Sequence, residues 1–268
     1  MVSRWVATNR NERIPLSDSR SVWQPAMRNR IVDVQKTEIE EISLGDVVSP
    51  ERLKEVYENE NEFYWTSDWS PELYVELARA GFMSVAFELG GTLELLVPQL
   101  QQSYAVLDWE NLHASKSMLR WMRSPACKDQ NYRLAVGHDL ESVYLALDAY
   151  HGQENWMGIQ YFELLSELSD TEPPGFTLTP VALLDSDENV VAGEIGYRCG
   201  DIYTSLTGFS DRNRRNCGKL QLLLLGEHLR DTGYAFWNLG HPFMQYKLDL
   251  GAQVLPRAEF LKRWHEHR

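Results

Sequence analysis

The sequence predicts an α+β fold: a mixed sheet flanked by helices, preceded by a smaller N-terminal domain. Three observations carry this reading. Strand-like runs at 177–184, 190–199 and 201–206 follow one another with turn residues between them. A helical segment with an apolar face comes next, at 218–232. A further strand-like run, 234–239, follows that helix. A strand meander, a helix and another strand describe a sheet with helices on its faces.

The elements are legible in order. Ser49-Pro50 opens a short helix through Glu58, because serine caps a helix and proline suits its first turn. Ser70-Pro71 repeats that signal, and Leu73, Leu77 and Ala78 form an apolar stripe that stops at Ala80-Gly81. Short strands are expected at 83–88, 92–97 and 103–107. A helix over about 115–123 ends before Pro125, and a strand at 132–136 precedes an amphipathic helix at 140–150. Another helix, 159–168, runs into a loop at 170–175, and the turn 186–189 folds the first two strands of the meander into a hairpin. There is no internal repeat. The expected organisation is an N-terminal extension over 1–62, partly disordered or helical, a small domain over 63–110, and a larger sheet domain over 111–268.

Length and composition fit a globular chain of one large or two unequal domains: 268 residues, 43% hydrophobic and 24% charged. No apolar run approaches the ~20 residues that span a bilayer. Cys127, Cys199 and Cys217 are too few and too widely spaced for a disulfide framework or a zinc site, which points to a reducing, cytoplasmic compartment. The net charge of −13 argues against a broadly nucleic-acid-binding surface, but it is unevenly spread. Residues 1–30 carry +4, as an organellar transit peptide or a loosely packed arm would; 33–62 carry −7, leaving −10 on 63–268. Basic character survives in two local patches, Lys116/Arg120/Arg123 and Arg212/Arg214/Arg215. The first three stand at i, i+4 and i+7 and share a helix face, which suits either a row of phosphates or a surface helix neutralising nearby acids. The segment 214–219 lies between a strand and a helix N-terminus, where free amides and the helix dipole favour an anion.

Within that segment, Arg215-x-x-Gly218 resembles the pyrophosphate loop of the GNAT acyltransferases, Gln/Arg-x-x-Gly-x-Gly/Ala, with Leu220 at the last position. A longer ordered series surrounds it. It runs from Ser70-Pro71 and Ala80-Gly81-Phe82 through Leu112-His113-Ala114-Ser115-Lys116-Ser117-Met118 and Trp156. It continues with Phe209-Ser210, Asn216-Cys217-Gly218-Lys219, Leu250-Gly251-Ala252, Pro256-Arg257 and Phe260-Leu261. Over roughly 63–262 the chain resembles the leucyl/phenylalanyl-tRNA–protein transferase family. That resemblance implies a GNAT-like sheet domain behind a small N-terminal domain. It implies transfer of Leu or Phe from a charged tRNA to the α-amine of a protein N-terminus, Arg or Lys in the family, and so a place in N-degron protein degradation. The expected partners are aminoacyl-tRNA and a protein or peptide N-terminus, with no membrane, no cofactor, no metal and a monomeric chain.

The resemblance also assigns candidate residues. For tRNA these are Lys116, Arg120, Arg123, Arg214, Arg215 and Lys219. Trp156 stands where the family places a tryptophan near the aminoacyl-adenosine, although a core tryptophan reads the same way. Leu206, Phe209, Ser210 and Met244 suit a pocket for a bulky apolar side chain, and equally a core. Where the family carries Gly-Glu-Ser-Met-Phe-Ser, this chain has Ser205-Leu206-Thr207-Gly208-Phe209-Ser210; the family's Asp-Cys-Gln corresponds to Asn238-Leu239-Gly240. With those acids replaced, Asn238 is the candidate to orient the amine and His241 to take its proton, although His241-Pro242 also reads as a turn. Two other readings stay open: an acyl-CoA-dependent GNAT N-acyltransferase, and a non-catalytic tRNA- or protein-binding module.

Overall fold

Serine and proline set the first helix boundaries. In the computed structural model, which describes residues 39–89 and 93–268, Ser43, Ser49 and Ser70 cap helices α1 (Leu44–Val48), α2 (Pro50–Glu58) and α3 (Pro71–Arg79). Each serine oxygen accepts an amide three residues on, at 3.4, 3.4 and 3.3 Å. The Arg-rich arm 1–30 lies outside the described residues. A short strand β1 (Glu40–Glu41) pairs in parallel with β2 (Tyr64–Trp65). Ile42, Val47 and Val56 share a core with Leu73, Leu77 and Phe82. The described part of the expected extension is therefore packed, because its apolar side chains are buried against α3. Strands β3 (Met83–Leu89) and β4 (Leu93–Gln99) form an antiparallel hairpin. Alternation sends Val85, Phe87, Leu95 and Val97 to one face, with Ile39 and Trp65, and Ala86 and Leu96 to the other.

The main sheet has seven strands in the order β11-β5-β10-β9-β8-β7-β6. They are β5 (Ser103–Leu107), β6 (Arg133–Val136), β7 (Phe176–Leu184), β8 (Val190–Cys199), β9 (Ile202–Ser210), β10 (Phe236–Asn238) and β11 (Gln253–Pro256). Strands β6 to β9 form an antiparallel meander, whereas β9 and β10 run parallel and need a crossover. Helix α8 (Cys217–Asp231) makes it. Around the sheet lie α4 (Lys116–Met122), α5 (Pro125–Lys128), α6 (Leu140–His151), α7 (Ile159–Thr171), α9 (Gln245–Leu250) and α10 (Arg257–His267). Alternate residues of β7 face different helices. Ala182 and Leu184 pack in the core of α6, α7 and α10; Val181 and Leu183 pack in that of α4 and α8. This is the expected α+β architecture, a mixed sheet with helices on its faces. Among the described residues, no helix is long and apolar enough to cross a membrane.

Two expectations need correction. The third meander strand continues to Ser210 instead of ending at 206. Thr207-Gly208 reads as a strand end, but Glu194 and Gly193 of β8 pair with Gly208 and Phe209 and prolong it. A boundary near 110 also fails to divide the packing, because β5 lies inside the main sheet between β11 and β10.

The motifs of the resemblance meet in pairs. Gly81 ends α3 with φ +88°, and a Cβ there would lie 2.9 Å from Leu261. Gly251 has φ +116°, and a Cβ there would lie 2.0 Å from the Asn111 carbonyl, beside His113. The buried Arg257 guanidinium donates to four backbone carbonyls: Gln101 at 3.1 Å, Asn61 at 2.8 Å, and also Asn59 and Leu100. It thereby ties α10 to the segments that bracket the N-terminal helices and hairpin. Arg257→Met leaves those carbonyls without their donor and is expected to cost about 3–5 kcal/mol, read by urea unfolding. Lys54→Met, at an exposed pair with Glu58, should change stability by under about 0.5 kcal/mol.

Candidate active site

Among its strands, the meander carries one acid, Glu194 on β8. Glu194 of β8 is fully buried, and its register partner on β9 is Gly208, which leaves the space beside it open. The carboxylate is satisfied from three sides. Oε1 accepts from the Tyr203 hydroxyl at 3.0 Å and the Ser205 hydroxyl at 2.6 Å; Oε2 accepts from Gln221 Nε2 at 3.2 Å. Ser205 Oγ in turn accepts from the Trp237 indole at 2.9 Å. The pairing slips between Ile195/Thr207 and Gly196/Ser205, so Leu206 is an unpaired bulge residue next to this network. Burial pushes the Glu194 carboxyl above its usual range, against the lowering effect of its hydrogen bonds and of Lys247.

Glu194 lies on the wall of a cavity of about 490 Å³. Trp156, Leu206, Phe209, Ser210 and Met244, all expected around an apolar substrate, line it together. Trp156 stands edge-on to Tyr161, with ring centroids 5.0 Å apart, and His151 Nε2 lies 3.1 Å from the Gly208 carbonyl. The second buried charge is Lys247 of α9. Its ammonium donates to the Leu239 carbonyl and, at 2.7 Å, to the His241 carbonyl, and it lines the same cavity. Burial lowers its pKa to about 8, although the Glu194 charge acts in the opposite direction.

The N-terminus of α8 forms the remaining rim. Asn216 is in the left-handed region at φ +66° and caps the helix without a side-chain hydrogen bond. Asn216, Cys217, Gly218 and Lys219 line the cavity, so the positive end of a 15-residue helix faces it. Lys219 and Arg215 are exposed, and only Lys219 reaches the cavity lining. Arg214 also reaches it, but its charge is engaged: it pairs with Asp185 at 2.7 Å and Asp211 at 3.4 Å and donates to Gln130 at 3.2 Å. It thus braces the 185–189 turn, which lessens its use to a phosphate. Lys116, Arg120 and Arg123 are exposed on and just after α4, and none has an ion pair among the described residues. Trp121 of that helix stands 6.3 Å from the Tyr132 ring, and the Tyr132 hydroxyl is 3.4 Å from Cys217 Sγ, so α4 adjoins the start of α8.

The two residues expected to do chemistry are elsewhere. Asn238 is buried with its amide committed: Nδ2 donates to Thr204 Oγ1 at 3.3 Å, and Oδ1 accepts from the Gly240 amide at 2.9 Å. His241 Nδ1 accepts from the Phe243 amide at 3.3 Å, and its ring lies 3.9 Å from that of Phe243. Neither lines the cavity. The ionisable groups that do so at depth are Glu194 and Lys247, which sequence reasoning passed over. A lone acid in Val190–Cys199 was a readable signal; Lys247 gave none, because α9 is too short to show a period. Among the described residues, no group of three or more His, Cys, Asp and Glu is placed to hold a metal ion.

The sequence matches the family described as leucyl/phenylalanyl-tRNA protein transferase over residues 106–265, more than half of the chain. The chain belongs to that family. The matched span contains the whole cavity, including Glu194 and Lys247. No curated protein matches the chain in sequence. Solved structures give remote likenesses. L-PGS from Bacillus licheniformis is 12% identical at a TM-score of 0.39, over 59% of this chain and 46% of its own, so this chain spans under half of its length. A conserved protein of unknown function from Bacteroides thetaiotaomicron is 13% identical at 0.41, over 85% and 73%. A tandem GNAT protein from the clavulanic acid biosynthesis pathway is 10% identical at 0.35, over 77% and 68%.

In this transferase-family chain the buried ammonium has a stability signature. The folded protein holds the Lys247 proton less tightly than the unfolded chain, where lysine titrates near 10.5. Its contribution is therefore most favourable above about 10.5 and is lost as pH falls through about 8, a span worth roughly 3 kcal/mol. Lys247→Met should flatten the rise of stability between pH 8 and 10, read as urea midpoints at both pH values.

Proposed function

We propose that this protein transfers an aminoacyl group, Leu or Phe, from a charged tRNA to a primary amine at a protein N-terminus, with Glu194 as the proton acceptor. The observation that carries this reading is a buried carboxylate of raised pKa in a largely apolar cavity, within the domain matched to the transferase family. The donor's bulky side chain lies among Trp156, Leu206, Phe209 and Met244. The acceptor nitrogen attacks the ester carbonyl carbon, the bond from that carbon to the ribose oxygen breaks, and an amide forms. The amine proton passes to Glu194 and leaves on the released ribose hydroxyl. A carboxylate whose pKa burial raises is a better proton acceptor than an exposed one and can return the proton in the second half of that relay. Aminolysis of an ester is downhill, so holding the two reactants together supplies much of the rate.

The tRNA end is bound by Lys219 and the uncapped amides of α8, with Arg215 and the Lys116/Arg120/Arg123 face taking the backbone further out. Asn238 and His241 shape the wall behind Lys247 and leave the chemistry to Glu194. Labelled leucyl- or phenylalanyl-tRNA incubated with a panel of peptides should give acid-stable, peptide-bound label. Glu194→Gln should lower kcat about 10²–10⁴-fold with an unchanged KM for the charged tRNA; a loss under threefold in the folded variant would remove Glu194 from the role. Neutralising Lys116, Arg120 and Arg123 together should weaken tRNA binding. The slope of log affinity against log salt should also become shallower, by about 0.7–0.9 for each phosphate no longer neutralised. An unchanged slope would take α4 off the tRNA path.

An acyl-CoA donor is the second reading, favoured by the uncapped α8 N-terminus at the cavity rim. Thermal stabilisation by acetyl-CoA, absent with aminoacyl-tRNA, would select it. A binding module without catalysis is less favoured, because burying an acid in the cavity is costly and a mere binding surface does not need it.

A further inference from the structure

We infer that Lys247 is a further catalytic residue, whose ammonium donates to the oxygen of the ester carbonyl as that oxygen becomes negative. This rests on the transferase reading and adds a group to its chemistry. Attack on an ester makes a tetrahedral oxyanion, and fixed donors aimed at that oxygen lower the barrier. Of the lysines and arginines that line the cavity, only Lys247 is buried. Lys219 is exposed at the rim, and Arg214 is engaged by Asp185 and Asp211. An ammonium carries three N–H donors. The carbonyls of Leu239 and His241 take two, which fixes the nitrogen in place. No third oxygen or nitrogen acceptor meets it among the described residues, so one N–H is left for a ligand.

Glu194 and Lys247 influence each other's charge, yet among the described residues they form no ion pair. A proton acceptor and a cation thus share one chamber without neutralising each other in contact. The charge balance of the reaction fits this pair. Before attack, Glu194 is the anion and Lys247 its counter-charge. Once Glu194 has taken the amine proton, the negative charge resides on the carbonyl oxygen, and Lys247 compensates it there. When the ribose oxygen leaves and collects that proton, Glu194 is again the anion. Lys247 keeps its own proton throughout, and with a pKa of about 8 it is charged near neutrality. In mostly apolar surroundings that charge acts far more strongly than in water.

The test uses two adenosine probes that share a leucyl side chain. One carries a planar, neutral amide at the 3′ position, the other a tetrahedral, anionic phosphonate ester. The native chain should bind the phosphonate at least about tenfold more tightly than the amide. Lys247→Met should remove that preference while shifting the amide affinity by under about threefold. It should also lower kcat for label transfer about 10²–10³-fold, with KM for the charged tRNA unchanged. A lysine that only ties the turn to α9 would alter both probes alike. If Lys247→Met does not fold, Lys247→Gln takes its place, keeping a donor for the carbonyls but no charge. Equal or tighter binding of the amide to the native chain overturns the inference, as does binding of neither probe. A folded variant that keeps the phosphonate preference, or transfers label with a loss under about tenfold, overturns it too. A preference that depends on Lys247, in a chain that transfers no label, would remove the transferase reading alone. Label transfer with an unmoved preference would remove Lys247 alone.

Discussion

A carboxylate placed inside the meander constrains everything around it. Glu194 is buried, so its charge depends on three donors from two neighbouring elements: Tyr203 and Ser205 on β9, and Gln221 on α8. Those donors coincide only when β8 and β9 keep their register, when Leu206 bulges, and when α8 crosses over at the right height. The crossover is what makes β9 and β10 parallel, and it brings Trp237 onto the Ser205 hydroxyl. Gly208 completes the arrangement by offering no side chain opposite the acid. Sheet register, the bulge and the crossover thus serve one buried charge.

Lys247 answers that charge from a different element. The turn after β10 and the short α9 fold back so that its ammonium reaches two carbonyls and the cavity. The resulting site contains both signs of charge in a mostly apolar chamber, a setting in which proton affinities shift and small changes of occupancy matter. Around it, the N-terminal elements are joined to the sheet by Arg257 and by the close approach of Gly81 to Leu261. Residues far apart in the ordered motif series are neighbours in space, which explains why the series reads as one signature.

The charge distribution also gains meaning from the fold. A net charge of −13 would discourage nucleic acid if it were spread evenly. Locally, exposed basic residues stand together on and just after α4 (Lys116, Arg120, Arg123) and around the start of α8 (Arg215, Lys219), which adjoin through Trp121, Tyr132 and Cys217. Arg214 shows the limit of counting charges in sequence. It stands in a basic run, yet Asp211, three residues before it, and Asp185 on the hairpin turn neutralise it and make it a brace.

Local chemistry was legible from the residues. Serine caps, proline starts, alternating strands and the apolar stripes of the helices depend on neighbours within a few positions, so 70–81, 103–107 and 190–199 could be read directly. Trp156, Leu206, Phe209, Ser210 and Met244 were grouped from the sequence as either pocket or core, and the fold places all five on the lining of one cavity. Which ionisable groups face that cavity was decided only by tertiary structure. Asn238 and His241 looked suited by type and spacing, but hydrogen bonds with Thr204, Gly240 and Phe243 hold them away from the lining. Glu194 and Lys247 took their place because sheet register and chain crossover act over tens of residues. The sequence by itself determined the family and the α+β architecture. Only the folded structure decided the identity of the cavity's charges, because burial and pairing are properties of residues that meet across the chain.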